Sequence, residues 1–516
     1  MIIPYQYFIH LWKFLDLRIQ IMRRITQSYY FYPLIIFAIC IWRIFMPQLP
    51  ANNGLGWDGM RYYSIAVDGL HSNELESYLV LRIFPCLFVQ TVLKILSMPL
   101  DPPHIIMAFK IMNAILIGLS ALMVKGIFSQ YKLSPISEFI GFVLVFMNYG
   151  LLNFTFYYPV MTDTPTYFLS ISLFYFFVRG ELLNILLVGL IGAFTWPVLF
   201  AMALALLLFP NKKVEFVPIS KWLQYAMSVA CVAYAMWIGW LLVFKNGETT
   251  DLAYALPIGK EMLPVTFLGI GLLFFFVPFV LGNKTFFSIQ YYRSLLNGNR
   301  IFAAVLMLLT FYVVRGSMHV NSTAYMTVYN LIKIHMIFAF ARPLTTVVNH
   351  FNYFGAGMLL MIIFWKRFAA FISTFGLGVA GAVFVNLFFF SMKPESRAQV
   401  HNFPWLLILI SLYIGQFNFN KVFYGLIIGM NFIAAKLWFF FDYERGVNNI
   451  LPDNTIDFPA QWFFMNLGMW MTERVWLYML LTTAVCLVLL TLAAYKIGFG
   501  KKALLFYQKY EPVTHG

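Results

Sequence analysis

Fourteen apolar runs follow one another along the chain, near 33–47, 104–124, 137–156, 165–178, 182–209, 221–244, 264–281, 301–314, 327–340, 351–365, 369–391, 403–415, 421–441 and 475–495. A helix crosses the hydrocarbon core of a bilayer with roughly 17–25 apolar residues. Several runs reach that length, and no soluble stretch separates them. Of the 516 residues, 61% are apolar and 11% charged, too little polar surface for a soluble domain of this size. The expected fold class is therefore all-α, a polytopic transmembrane helical bundle of about 13–14 helices. A single membrane domain is expected over 33–496, between a basic amphipathic N-terminus at 1–32 and a tail at 497–516, both cytoplasmic. Within 182–209, Thr195, Trp196 and Pro197 predict two short half-helices meeting at a proline turn. The run at 327–340 reads either as a span or as part of an outer loop.

The net charge, 35 − 20 = +15, reflects basic loops on one side of the membrane. No basic patch is interleaved with base-reading polar residues, so nucleic acid is not an expected partner. Cys40, Cys86, Cys231 and Cys486 stand apart in apolar sequence and suggest neither a metal site nor a disulfide framework. Lys13, Arg18, Arg23 and Arg24 precede the first run, which lacks a small-residue cleavage site and reads as a retained first helix. Residues 48–103 then lie outside. If Ile83 to Met98 is an amphipathic helix on the outer membrane surface, Lys125, Lys132, Lys212, Lys213, Lys284, Arg293, Arg300, Lys366, Arg367, Lys501 and Lys502 all fall inside. The acids test that topology independently. Asp58, Asp68, Glu74, Glu76, Asp163, Glu248, Asp251, Glu261, Glu395, Asp442, Glu444, Asp453, Asp457 and Glu473 land outside, so the outer face holds the groups available for chemistry.

The first outer loop, 48–103, carries Trp57-Asp58-Gly59 followed by Arg61, Tyr62, Ala66, Asp68, His71 and Arg82-Ile83-Phe84-Pro85. A partly desolvated acid at the membrane surface can act as a general base on a hydroxyl. An aromatic interface anchor with an incidental carboxylate is the alternative reading of the same residues. In the second outer loop, 157–165, Asp163 stands alone between apolar runs, where a carboxylate is costly unless it meets a cavity or a partner. It also suits the start of a helix with Pro165 in the first turn, and capping and catalysis are compatible. A third cluster joins Lys393, Glu395, Arg397, His401, Asn402 and Pro404, with Arg315, His319, Arg342 and His350 on the same side. Arginine can hold a phosphate through two parallel hydrogen bonds, although snorkelling side chains look the same in sequence. A longer outer segment at 442–473 sets Trp462 and Trp470 among acids.

This arrangement resembles the GT-C superfamily of membrane glycosyltransferases, which take sugar from a polyprenyl-phosphate donor on the extracytoplasmic side. The resemblance rests on Trp57-Asp58-Gly59 after the first helix, the Arg82-Phe84-Pro85 surface helix, Asp163 opening the fourth helix, the Thr195-Trp196-Pro197 break, and Glu395-x-Arg397…Pro404, in that order over about 33–415. It implies a GT-C-like fold with juxtamembrane helices in the first outer loop. It also implies Asp58 as the base that deprotonates an acceptor hydroxyl, and Asp163 as a second acid that orients the acceptor or binds a metal. Arg397, His401, Arg342 and Arg82 would bind the lipid phosphate, with Tyr62, His71 and Glu395 as further substrate contacts. Any metal would be a divalent cation such as Mg or Mn on Asp58 and Asp163, although no ligand spacing demands one. The expected partners are the polyprenyl-phosphate-sugar donor, a glycan, lipid or protein acceptor, and membrane lipids. The expected setting is a bacterial inner membrane with the site facing the periplasm, or the topologically equivalent endoplasmic reticulum. The chain departs from the oligosaccharyltransferases in lacking a Trp-Trp-Asp motif and a soluble C-terminal domain. Two other readings stay open, a polymerase or ligase of lipid-linked glycans, and a transporter or flippase, which should show inverted repeats and broken helices near the midplane.

Overall fold

A computed structural model describes residues 28–48, 52–76, 78–245, 260–295, 297–318, 320, 337, 339–340, 342–391, 393–437 and 473–495. The expected N-terminal segment up to residue 27, nearly all of the run at 327–340, the segment 442–472 and the tail from 496 lie outside the described residues. Among the described residues the protein is all-helical, and extended backbone pairs only at the isolated bridge between Pro218 and Asn283.

Among the described residues, six helices are long and apolar enough to cross a membrane: Pro102–Gln130, Lys221–Phe244, Leu263–Leu281, Gly298–Ser317, Ala356–Ser373 and Arg474–Tyr495. The bent pair Pro135–Phe146 and Gly150–Tyr157 makes a seventh if it is one span. Further apolar stretches form helices of 10–17 residues. At 1.5 Å per residue, a 12-residue helix such as Leu182–Ala193 is about 18 Å long, well short of a 30 Å hydrocarbon core.

The breaks have local causes. Leu182–Ala193 and Val198–Leu208 are separated at Phe194–Pro197, as the proline predicts, and the Thr195 hydroxyl donates back to the Ile191 carbonyl at 2.9 Å. The run 137–156, expected to be continuous, bends by 56° between Phe146 and Gly150. There the Asn148 side chain takes over the backbone's hydrogen bonding. Its Nδ2 donates to the Val145 carbonyl at 2.7 Å, and its Oδ1 accepts from the Leu151 amide at 3.0 Å. A π-helical turn, Gly150–Phe154, follows the bend. Gly355, at φ +82°, divides Thr345–Phe354 from Ala356–Ser373. Any side chain at 355 would meet Asn431 Oδ1, which accepts from the Ala356 amide at 2.6 Å.

Polar side chains fasten the helices to one another. Asn431 Nδ2 donates to the Val143 carbonyl at 2.9 Å, Tyr167 to Val145 at 2.7 Å, and the Trp405 indole to Ser170 at 2.7 Å. In lipid the hydrophobic effect does not drive helices together, so such bonds and close packing supply the association. Lys125 and Glu138 form a buried ion pair at 2.5 Å, at the end of the bundle expected to face the cytoplasm. The other end carries the candidate site.

Candidate functional site

Four separate segments converge at that end, and the local chemistry of each explains how. Asp58 is the first residue of the helix Asp58–Asp68, where a carboxylate is favoured by the helix dipole. Gly59 follows because the second outer loop packs onto it: its amide donates to the Tyr158 hydroxyl at 3.0 Å, and a Cβ there would stand 3.1 Å from both the Tyr158 ring and the Val160 carbonyl. That loop is tied in turn to the long helix Pro102–Gln130, whose Asn113 donates to the Pro159 carbonyl at 3.2 Å. The two outer loops are thus locked together, and Asp163 opens the next helix, Asp163–Arg179.

Arg82 ends a short turn, Leu79–Arg82, ahead of the helix Phe84–Ile95. The Phe84 amide donates to the Phe194 carbonyl at 2.9 Å, which joins this segment to the break between the two half-helices. The break presents Trp196 to Arg82: the guanidinium carbon lies 3.8 Å from the Trp196 ring centroid and 4.3 Å from that of Tyr78. Arg82 also donates to the Tyr62 hydroxyl at 3.2 Å, and its Nε is buried with no hydrogen-bond partner. The cation is held against two rings with a donor to spare.

The fourth segment, 393–402, is held from behind by the helix Thr345–Phe354. Asn349 donates to the Pro394 carbonyl at 3.0 Å, His350 pairs with the Ser396 hydroxyl at 3.0 Å, and Phe354 stacks on Phe403 at 4.0 Å between centroids. From this support Arg397 reaches forward, donating from Nη2 to Asp58 at 2.5 Å and from Nε to Glu395. Burial works against its charge, but Glu395, Asp58 and Asp163 outweigh that and hold its pKa above the ordinary guanidinium value. Burial, with Arg82 and Arg397 nearby, pushes the Lys393 ammonium down to about 8 against the pull of Glu395.

Asp163 is 5% exposed, and neither of its carboxylate oxygens has a hydrogen-bond partner. It feels the charges of Arg397, Arg82, Glu395 and Asp58 without touching them. Beside it lies a small cavity of about 10 Å³, room for about one water molecule, lined by Asp163, Thr164, Tyr167, Gly150, Tyr353 and Val400. A buried carboxylate left unpaired at the wall of a cavity is costly for the fold and is the kind of group that meets a ligand.

Asp58, Asp163, Tyr62, Arg82, Glu395 and Arg397 therefore come together, although Asp58 and Arg397 are 339 positions apart. His401 joins them in a different state from the cation expected. It is fully buried, its Nε2 lies 3.1 Å from Asn386 Oδ1, and burial, helped by the Lys393 and Arg82 charges, pushes its ring down to about 3. It is a neutral ring near Trp196. His71 is exposed at the end of the turn Gly69–His71. Arg342 precedes the supporting helix, its carbonyl accepting from the Thr345 hydroxyl at 2.7 Å. Trp196, Tyr78 and Tyr158 were not singled out as site residues by the sequence; the one available signal was the Trp-Pro pair interrupting an apolar run.

Divalent-cation chemistry does not fit the donor set well. Asp58 and Glu395 both turn an oxygen to Arg397, and among the described residues no group of three His, Cys, Asp or Glu side chains gathers as metal ligands. Comparison with known proteins gave no matching family model, no matching curated protein and no matching solved structure.

Proposed function

We propose that this chain is an integral-membrane glycosyltransferase of the GT-C type, moving a sugar from a polyprenyl-phosphate donor to a hydroxyl of a glycan, lipid or protein acceptor. The site faces the extracytoplasmic side, in a bacterial inner membrane, with the helix Phe84–Ile95 lying at the membrane surface. The observation that supports this best is the Arg397 bridge between Asp58 and Glu395, with the unpaired Asp163 and the ring-held Arg82 beside it. Acids and arginines in balance, at the end of an apolar bundle, suit an activated hydroxyl and an anionic leaving group.

In this reading the acceptor oxygen bonds to the anomeric carbon as the bond from that carbon to the phosphate oxygen breaks, with inversion at carbon. The acceptor proton passes to Asp58, whose side chain is 47% exposed and open to an incoming hydroxyl. The lipid phosphate leaves with the bonding electron pair, its charge met by Arg397, Arg82 and Lys393. Asp163 orients the acceptor from the cavity wall, and Glu395 holds Arg397 in position. Neutral His401 contributes packing and a hydrogen bond rather than charge. No step uses a metal.

The test is transfer of labelled sugar from a panel of polyprenyl-phosphate sugars, in membranes with matched levels of wild type, Asp58→Asn, Asp163→Asn and Arg397→Gln. Transfer by the wild type that is lost in Asp58→Asn supports the reading. Transfer unaffected by all three changes would remove the site assignment. Substrate movement across the bilayer with no transfer from any donor would favour a transporter.

A further inference from the structure

A second group of cations lies outside this site. Arg43, at the end of the first helix Phe31–Ile44, is 2% exposed, and Lys110, two turns into Pro102–Gln130, is 5% exposed. Both sit at the outer ends of their helices in the expected topology. Arg43 donates from Nη2 to Asn153 Oδ1, and its Nε is buried with no hydrogen-bond partner. Lys110 donates to the Ile44 and Met46 carbonyls at 3.1 and 3.2 Å. The Arg43 charge acts on Lys110, and among the described residues no carboxylate acts on either; Arg43 feels the Tyr149 and Cys40 side chains. Lys436 adds a third cation to the neighbourhood, 1% exposed, its Nζ 4.5 Å from the centroid of the Tyr149 ring. Asn153 ties the group together, since its Nδ2 donates to the Ala435 carbonyl while its Oδ1 receives Arg43.

Two like charges buried in one neighbourhood at membrane depth, with no acid of the described residues acting on them, are unfavourable unless a counter-charge joins them. The protein does not lack acids at this end: Asp58 and Glu395 go to Arg397, and Glu74 and Glu76 to Arg61. The π-helical turn Gly150–Phe154, a feature that recurs at functional sites, carries Asn153 toward these cations while Gly150 lines the Asp163 cavity. Exposed apolar side chains, Trp42 and Phe45 on the first helix and Met107 one turn from Lys110, mark a lipid-facing surface alongside. Basic pockets between membrane helices hold lipid phosphates on the cytoplasmic side of other membranes, and the same charge pairing applies to an anionic lipid on the outer side.

We propose that Arg43 and Lys110, supported by Lys436, bind the phosphate group of an anionic lipid at the outer leaflet, at a site separate from the Arg397 cluster. The proposal stands without the sugar-transfer reading, because it concerns binding alone.

The test uses the full chain in phosphatidylcholine nanodiscs, with phosphatidylglycerol added in steps and binding read by native mass spectrometry and by the shift in melting temperature. The variants are Arg43→Gln, Lys110→Met, the charge-keeping Arg43→Lys and Lys110→Arg, and the surface control Lys94→Gln. Phosphatidylglycerol should bind and stabilise the wild type and Lys94→Gln. Binding should weaken by about tenfold or more for each neutralised cation, the worth of one charge-assisted hydrogen bond, and persist in the charge-keeping pair. A parallel arm with sodium phosphate identifies the source: competition with the lipid shows that the phosphate group is what is recognised. Stabilisation by sodium phosphate with none by phosphatidylglycerol would overturn the lipid assignment. Equal lipid binding in all variants, or equal loss in the charge-keeping and neutral variants, would overturn the proposal and leave the cations as packing groups.

Discussion

Removing Arg397 should expose how much of the site is held by one guanidinium. Its Glu395 partner has a side chain only 6% exposed, while Asp58 is 47% exposed and Arg397 itself 17%. At an effective dielectric near 20, two unit charges roughly 4 Å apart attract by about 4 kcal/mol, much of which desolvation offsets. Breaking a buried pair by deleting one member costs about 3–5 kcal/mol, because the other charge is left without compensation. Nearly all of that cost should belong to Glu395. The half-exposed Asp58 remains hydrated, and its share is discounted to under about 1 kcal/mol. Arg397→Met should therefore destabilise the protein by about 3–5 kcal/mol, and Glu395→Gln by less, since Arg397 retains Asp58. The double variant should cost at least about 2 kcal/mol less than the sum of the two, because Glu395 is then no longer left behind without Arg397. Reversible unfolding in mixed micelles, run as a double-mutant cycle, measures this. Additive costs, within about 0.5 kcal/mol, would refute the reasoning and show that the pair is incidental to the fold.

Asp163→Asn should leave stability unchanged or raise it by about 1–3 kcal/mol in the same assay, since it removes a buried carboxylate without hydrogen bonds, while abolishing sugar transfer. A large loss of stability would mean that the carboxylate is a structural group. Lys393, with a folded pKa of about 8 below its ordinary 10.5, should make stability rise with pH between those values, because the unfolded chain binds the extra proton there. Its protonated-form penalty is fully present below pH 8, so Lys393→Met should flatten the stability profile across that window; an unchanged profile would contradict the assignment. Phosphate-dependent donor binding should weaken over the same rise in pH, measured as an increase in donor KM. Trp196→Ala should cost about 3–5 kcal/mol by emptying a buried site and should raise donor KM, whereas Trp196→Phe keeps a ring against Arg82 and should retain most donor binding. Equal donor KM in the two variants would separate Trp196 from Arg82.

The all-helical membrane character was legible because the physics that sets it is local. An apolar stretch must satisfy its own backbone inside lipid, and only composition and length are needed to see that. Proline does the same for the break at Pro197, since its missing N–H is written in the residue itself. The bend after Phe146 was not legible. It is set by an asparagine that takes over backbone bonds, and by packing of Gly150 against Tyr353, a residue far along the chain. An Asn in an apolar run looks identical whether it bonds its own helix, a neighbouring one or water, so where such a run bends cannot be read from it.

The site shows the same division between local cost and distant partnership. Carboxylates are scarce in this chain, and each one close to lipid has to be compensated, which is why Asp58, Asp163 and Glu395 could be singled out before any fold was known. Which cation compensates which acid is a property of tertiary packing. Arg397 takes both Asp58 and Glu395, Arg82 goes to two aromatic rings, and Asp163 goes to none. The histidines show how burial decides the outcome. A sequence presents His71 and His401 as equivalent candidate cations, yet the first is exposed in a turn and the second is enclosed so completely that it carries no charge at neutral pH. The uneven pairing has a functional logic. An arginine fully occupied by carboxylates cannot meet an incoming phosphate without giving one of them up, whereas an arginine held by rings, with Asp163 acting on it only at a distance, keeps a donor available. Of the two, Arg82 is ready for an anion as it stands. Arg397 becomes ready only when Asp58 releases it, so that arrival of the phosphate and freeing of the base would be a single event at this site.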